Sequence, residues 1–445
     1  MLKELIGGLV GQRETRELNR LAQAYATLDK FSGSVLVARG EQVLLRQGYG
    51  LANREHSAPN TPATAFRIGS LTKTFTAIAV MQQVERGRLA LDDTVSRCLP
   101  DYPNGSRITL RHLLSNTSGI PDYIAMPRYE TLARQQVTAP ELLALFQDEP
   151  LLFEPGTDFS YSNSGWVLLG IILEQITGQP YEQIMHQDIF DRLGMTRSGY
   201  TWETPVIPQR ADGYIDTGDT IQRAKLIDET TMHAAGGLYS TADDLFRWAR
   251  GFITHRLLTP ESLQQMRAAA WEQYGCGLEL HRLHGRATIG HSGGLPGYLS
   301  AFVYFPDDDV TIILVSNLGS AAVNDLTEGL AAVVLGEPYA LPSAQTFVKL
   351  SPAALAPYAG DYRVTYFGRT YTLRFVLDGD RLMMHVTGLP PAVVNALSDT
   401  TFYTRSKGEV EMTFLRGDDG SVTGIDMNWG GQFSVATRIV ETEKS

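Results

Sequence analysis

From Phe66 to Met81 the chain is apolar almost all the way round a helix, and a lysine, Lys73, sits inside that run. A helix of this pattern is buried, whatever fold surrounds it. Burying an ammonium is costly, so the group must lower its pKa or find partners. Lysine is scarce here: only Lys3, Lys30, Lys73, Lys225, Lys349, Lys407 and Lys444 occur in 445 residues. Ser70 lies three residues before Lys73, on the same helical face. A serine beside a desolvated lysine is a nucleophile beside a base. Gly69 precedes the pair, and the helix N-terminus adds positive potential and free N–H groups around Ser70.

The formal net charge of -11 argues against nucleic acid or an anionic membrane as partner, since both select basic surfaces. The two cysteines, Cys98 and Cys276, form neither a C-x-x-C metal pattern nor a disulfide framework, and no metal or cofactor is expected. The first thirteen residues hold an apolar stretch too short and too soon interrupted by charge for a signal peptide. No run of about 18 apolar residues exists. The expectation is a cytoplasmic protein, periplasmic only if a leader lies upstream.

Helical spacing runs from Arg13 to Leu28. A hairpin follows, with Val35, Val37, Val43 and Leu45 at period-two positions around Arg39-Gly40-Glu41. The Ser70 helix ends near Gly87, a natural C-cap. Residues 92–250 read as helix and long loop. Strands return at 287–289, 298–305 and 310–316, before a helix over 321–335. This order predicts an α+β fold: one antiparallel sheet built from both ends of the domain, flanked by helices, with a helical insertion. Beyond a linker at 341–349, runs at 370–377, 381–386, 411–415 and 425–429 predict a small antiparallel β-barrel or sandwich over 350–445. The expected units are therefore 1–340 and 350–445.

Two further clusters carry chemistry. Tyr161 and Asn163 stand two apart before an apolar helix, so both can face one pocket; Tyr161 is a candidate proton relay and Asn163 a partner for Lys73. Gly290-His291-Ser292-Gly293-Gly294 has glycines that let a backbone approach a ligand, and an edge strand here would bind substrate by strand addition. The same five residues spell G-x-S-x-G, the elbow of α/β-hydrolases with Ser292 as nucleophile. The elbow needs a helix directly after the serine, whereas Pro296-Gly297 and a β run follow.

The three clusters in this order resemble the serine β-lactamase and penicillin-binding-protein-like hydrolases, nearest their class C β-lactamase, esterase and D-aminopeptidase branch. Ser70 and Lys73 match S-x-x-K, Tyr161 and Asn163 match Y-x-N, and His291 to Gly293 match the lysine-or-histidine/x/glycine strand. His112 to Gly119, Phe153 to Gly156 and Ala234 to Thr241 add likeness. Residues 350–362 resemble the start of a lipocalin-like β-domain that follows some of these hydrolases. The resemblance implies that Ser70 is acylated, that Lys73 with Tyr161 moves its proton, and that Asn163 orients Lys73 and substrate. It further implies an oxyanion held by the N–H groups of Ser70 and Gly294, with His291, Ser292 and Gly293 along the substrate. Penicillin-directed members usually carry lysine where His291 stands. Histidine, mostly neutral at pH 7, tilts the expectation toward esters, amides or D-amino-acid peptides, with weak or absent β-lactamase activity. A slow-deacylating penicillin-binding sensor and an acyltransferase are the alternatives. The expected partners are a small molecule or short peptide and, through the β-domain, a second copy of the chain.

Overall fold

The computed structural model describes residues 2–200, 206–218, 220–268, 270–271, 273–366, 369–386, 391–405, 408–429 and 433–439. Helix α1 (Leu2–Thr27) leads into the hairpin β1 (Gly33–Arg39) and β2 (Gln42–Tyr49). After a helical stretch come β3 (Glu279–Leu283), β4 (Arg286–Leu295), β5 (Tyr298–Phe305) and β6 (Val310–Ser316). They form one sheet in the order β2-β1-β6-β5-β4-β3, antiparallel at every pairing, so the two ends of the domain meet at β1 and β6. This is the sheet expected from the sequence.

One face of the sheet is covered by α1 and by helix α2 (Val323–Leu335). Leu18, Leu21, Leu326 and Leu330 pack there on Val35, Val37, Ile312 and Leu314. The other face packs on the helical insertion. At its centre is the run expected to be buried: a 3₁₀ turn over Gly69–Leu71 continuing into helix α3 (Thr72–Glu85), in which every residue from Thr72 to Gln83 is buried. Arg86 caps this helix and Gly87 takes φ +68°, the left-handed stop that glycine supplies.

Two local expectations need correction. Val43 is 41% exposed, because a bulge between Val37 and Ala38 shifts the hairpin register and turns Leu44 and Leu45 inward together. The strand read over 287–289 extends through the glycines to Leu295, and it has a partner, β3, that the sequence reading did not include.

Strands β7 to β14 (Gly360–Tyr366, Arg369–Asp378, Arg381–Val386, Ala392–Ala396, Thr401–Arg405, Glu409–Arg416, Val422–Asn428 and Phe433–Arg438) close into an eight-stranded antiparallel barrel. Its interior is filled by Tyr358, Tyr362, Phe375, Phe402 and Phe414, whose rings meet edge-on or tilted at 4.6–5.7 Å. The barrel is thus a packed solid rather than a cup.

A cluster of charges joins the barrel to the sheet domain. Arg405 donates to Asp216 (2.8 Å), to Glu409 (3.3 Å) and to the Leu28 carbonyl (3.4 Å), while Lys30 pairs with Glu409 at 2.9 Å. Asp216 belongs to the hairpin Tyr214–Asp216/Ile221–Arg223. Behind that hairpin, Gly213 packs on Gly297 at the β4–β5 turn, so the barrel braces the far end of β4.

Candidate active site

Lys73 is fully buried, and its ammonium position is defined by three oxygens. Nζ lies 2.8 Å from Asn163 Oδ1, 2.7 Å from the Ala235 carbonyl and 3.0 Å from Ser70 Oγ. The Tyr161 ring covers the same nitrogen at 4.9 Å from its centroid. The first two oxygens only accept hydrogen bonds, so two N–H groups are committed to them whatever the charge of the amine. Ser70 presents a hydroxyl, which both donates and accepts, so a proton can pass between it and the amine.

The orientation of Asn163 is itself fixed. Its Nδ2 and its backbone N–H both donate to Asp122 Oδ1, at 3.1 and 2.9 Å, which turns Oδ1 toward Lys73. Asn163 opens helix α4 (Asn163–Thr177), and the loop before it is held by Asn116. The Asn116 carbonyl accepts from Ser160 N–H, and its Oδ1 accepts from Ser162 N–H and Trp166 Nε1. Tyr161 and Asn163 thus arrive at Lys73 because the turn over residues 115–119 clamps their backbone. Ala235 belongs to the short helix His233–Gly236, packed against α4 where Gly170 leaves no room for a side chain.

β4 closes the opposite wall. A Cβ on Gly293 would collide with the Ile68 carbonyl, and one on Gly69 (φ +53°) would stand 2.7 Å from Gly294 N. These glycines bring strand and serine turn into backbone contact. β3 pairs with β4 only as far as Gly290, opposite Glu279. From His291 to Leu295 the strand pairs with β5 on one side, and the serine turn approaches its glycines.

His291 points into the protein, 2% exposed. Its Nε2 is 2.9 Å from Tyr274 Oη and its Nδ1 2.6 Å from the Ser292 carbonyl. A carbonyl can only accept, so Nδ1 carries the proton and Nε2 accepts from the tyrosine. Burial pushes the His291 pKa below its ordinary value, and the Lys73 charge lowers it further against the opposing pull of Glu279. The neutral imidazole therefore offers no cation. Burial likewise drives the Tyr274 phenol well above its usual range.

Ser292 alternates to the exposed side, where Oγ donates to Glu279 Oε1 at 3.0 Å. It lies inside a strand that continues to Leu295 and turns into β5, so no elbow forms and the α/β-hydrolase geometry is absent at this serine. The structure joins Ser70, Lys73, Tyr161, Asn163 and His291 in one contact chain, with Gly293 and Gly294 against the serine turn; Ser292 stands outside it. Asp122, Tyr274 and Glu279 were not legible as site residues, since each sits in an unremarkable stretch and reaches the site only through tertiary packing.

Residues 18–335 match the Beta-lactamase family model, 71% of the chain. The chain belongs to the beta-lactamase family. Kinship within it makes this beta-lactamase-family protein a serine hydrolase. It is 26% identical over 437 residues to "Penicillin-binding protein 4*" of Bacillus subtilis, covering 92% of this chain and 96% of that one. Among solved structures, it resembles a D-amino acid amidase from Ochrobactrum anthropi (TM-score 0.67, 25% identity, 73% of this chain and 99% of that one). It also resembles an octameric penicillin-binding protein homologue from Pyrococcus abyssi (TM-score 0.66, 26% identity, 95% and 99%). Among the described residues no helix is long and apolar enough to cross a membrane.

Proposed function

We propose that this protein hydrolyses amides or esters of D-amino acids through an acyl-enzyme on Ser70, with little activity on penicillins. The observation that carries the reading is the buried Lys73 nitrogen, which lies 3.0 Å from Ser70 Oγ. Lys73 takes the serine proton as Oγ attacks the carbonyl. Charge develops on the carbonyl oxygen beside the backbone N–H groups of Ser70 and Gly294, which stabilise it; one such donor is worth roughly 10²–10³ in rate. Tyr161, stacked over the amine, assists return of the proton to the leaving group. Asn163 holds lysine and substrate in register, and water then releases the acid. The D-amino acid amidase likeness and the neutral His291 both favour uncharged amide and ester ends over the carboxylate of a penicillin.

Labelling with a fluorophosphonate, then peptide mapping, is expected to place the adduct on Ser70. The Ser70→Ala variant should lose labelling and at least about a thousandfold of turnover on D-aminoacyl anilides. An adduct on Ser292, or faster turnover of a chromogenic cephalosporin than of D-aminoacyl amides and nitrophenyl esters, would sink the reading. A burst of one equivalent without turnover would favour a sensor.

Assembly belongs to the same proposal. The octameric relative spans both units of this chain, and the last barrel strand exposes Phe433 (79%) and Val435 (61%). We place a contact between copies there. Light scattering on the wild type and on Phe433→Ser is expected to show an oligomer and its dissociation.

A further inference from the structure

We infer that Glu279 selects the substrate by charge, rejecting leaving groups that end in a carboxylate and favouring those that carry a cation. The inference rests on the D-aminoacyl hydrolase reading and adds the direction of cleavage: this site is not built to remove a free C-terminal residue.

Glu279 is the last residue of β3 to pair with β4. Immediately beyond it the strand edge is released, and that edge runs past Gly293 and Gly294 along the Ser70 turn. An extended substrate paired with the edge, its reacting carbonyl at Gly294 N–H, reaches Ser292 two residues away. At the rise of a strand that is about 7 Å, a span covered by the first residue past the scissile bond together with one hydrogen bond from its end group. There it meets Ser292 Oγ and the Glu279 carboxylate.

The groups facing Glu279 do not neutralise it. Ser292 donates one hydrogen bond at 3.0 Å. His291 Nδ1 lies 3.6 Å away, but its proton goes to the Ser292 carbonyl. His281 Nε2 is 3.8 Å from Oε2, while its Nδ1 engages Gln273 Oε1 at 2.8 Å. No lysine or arginine pairs with Glu279 among the described residues. Its side chain is 13% exposed, so solvent screens it only in part. The hydroxyl that would greet an incoming carboxylate is thus already donated to a resident one. A second anion would meet repulsion; an ammonium would find a carboxylate that no lysine or arginine among the described residues pairs with.

The test compares three amides with one D-phenylalanyl acyl group: leaving groups glycine, glycinamide and ethylenediamine, which end in an anion, a neutral amide and a cation. In the wild type kcat/KM is expected to rise at each step, by about tenfold, as for charges several ångströms apart at a partly wet site. Glu279→Gln keeps the shape and the acceptor for Ser292 but removes the charge, and should compress the series to within about twofold. Equal wild-type values across the series, or an unchanged series in Glu279→Gln, overturns the inference. Should none of the amides turn over, the D-aminoacyl reading fails by itself. The inference is then read from how well the same three amides protect Ser70 against the fluorophosphonate. The same order, lost in Glu279→Gln, supports it, and equal protection refutes it.

Discussion

Asp122 stands three hydrogen bonds from Ser70, through Asn163 and Lys73. By accepting from both the backbone and the amide of Asn163, it fixes which end of that amide faces Lys73. Asp122→Asn offers a donor where only an acceptor stood, and Asn163 can then rotate. Steady-state kinetics should show kcat/KM falling about tenfold to a hundredfold, the worth of one charge-assisted hydrogen bond, with Ser70 still labelled, though slowly. His291 adds a pH dependence. Its folded pKa is depressed, so the unfolded chain takes up a proton more readily than the folded one. The contribution of His291 is therefore complete above about pH 6.5, the unperturbed value, and falls as pH drops from there toward the lower folded value. Melting temperatures of wild type and His291→Gln should diverge in that window, the variant showing the shallower loss.

The glycines of β4 decide how near strand and serine turn approach. Gly293→Ala puts a methyl against the Ile68 carbonyl, and backbone cannot step aside as a side chain would. Overpacking of this kind costs about 1–3 kcal/mol, so the variant should melt earlier and lose activity together. Ala287→Gly, on the exposed half of the same strand, should affect activity little. This strand also illustrates what pattern reading can reach. The close approach at Gly293 and Gly294 was legible because glycine marks it. β3 was not, because Glu279 to Leu283 are nearly all half-buried and give no alternation. Ser70, Lys73, Tyr161 and Asn163 were legible because chemistry needs those types at those spacings. Asp122 reaches the site through Asn163, and Tyr274 through His291 and Tyr161, contacts made by packing rather than by any local pattern. In the barrel, four of the eight strands carried a readable pattern.

The barrel is tied to the sheet domain by a largely buried set of charges. Arg405 is held by two carboxylates, so Arg405→Ala removes the cation that Asp216 and Glu409 share and leaves Lys30 on Glu409. Breaking such a pair costs about 3–5 kcal/mol, and limited proteolysis should then release the barrel. Asp325 sits beside this cluster, its pKa pushed up to about 6 by burial and by the charge of Glu409. A carboxyl raised in the folded state stabilises most below its unfolded value near 3.8 and loses that contribution as pH rises through about 6. Asp325→Asn should raise the melting temperature at pH 7.5 and leave it unchanged near pH 3.5. This runs opposite to the His291 effect, so the two can be separated by titration.

β3 stops pairing at Gly290, and under the proposed function the half-strand beyond it grips a guest through peptide groups, which every residue shares. An enzyme that holds its guest this way has little reason to care which side chains flank the cleaved bond. Its natural repertoire should be broad in sequence and narrow in how chains terminate, so a peptide library sorted by end group will separate good substrates from poor ones more sharply than the same library sorted by composition.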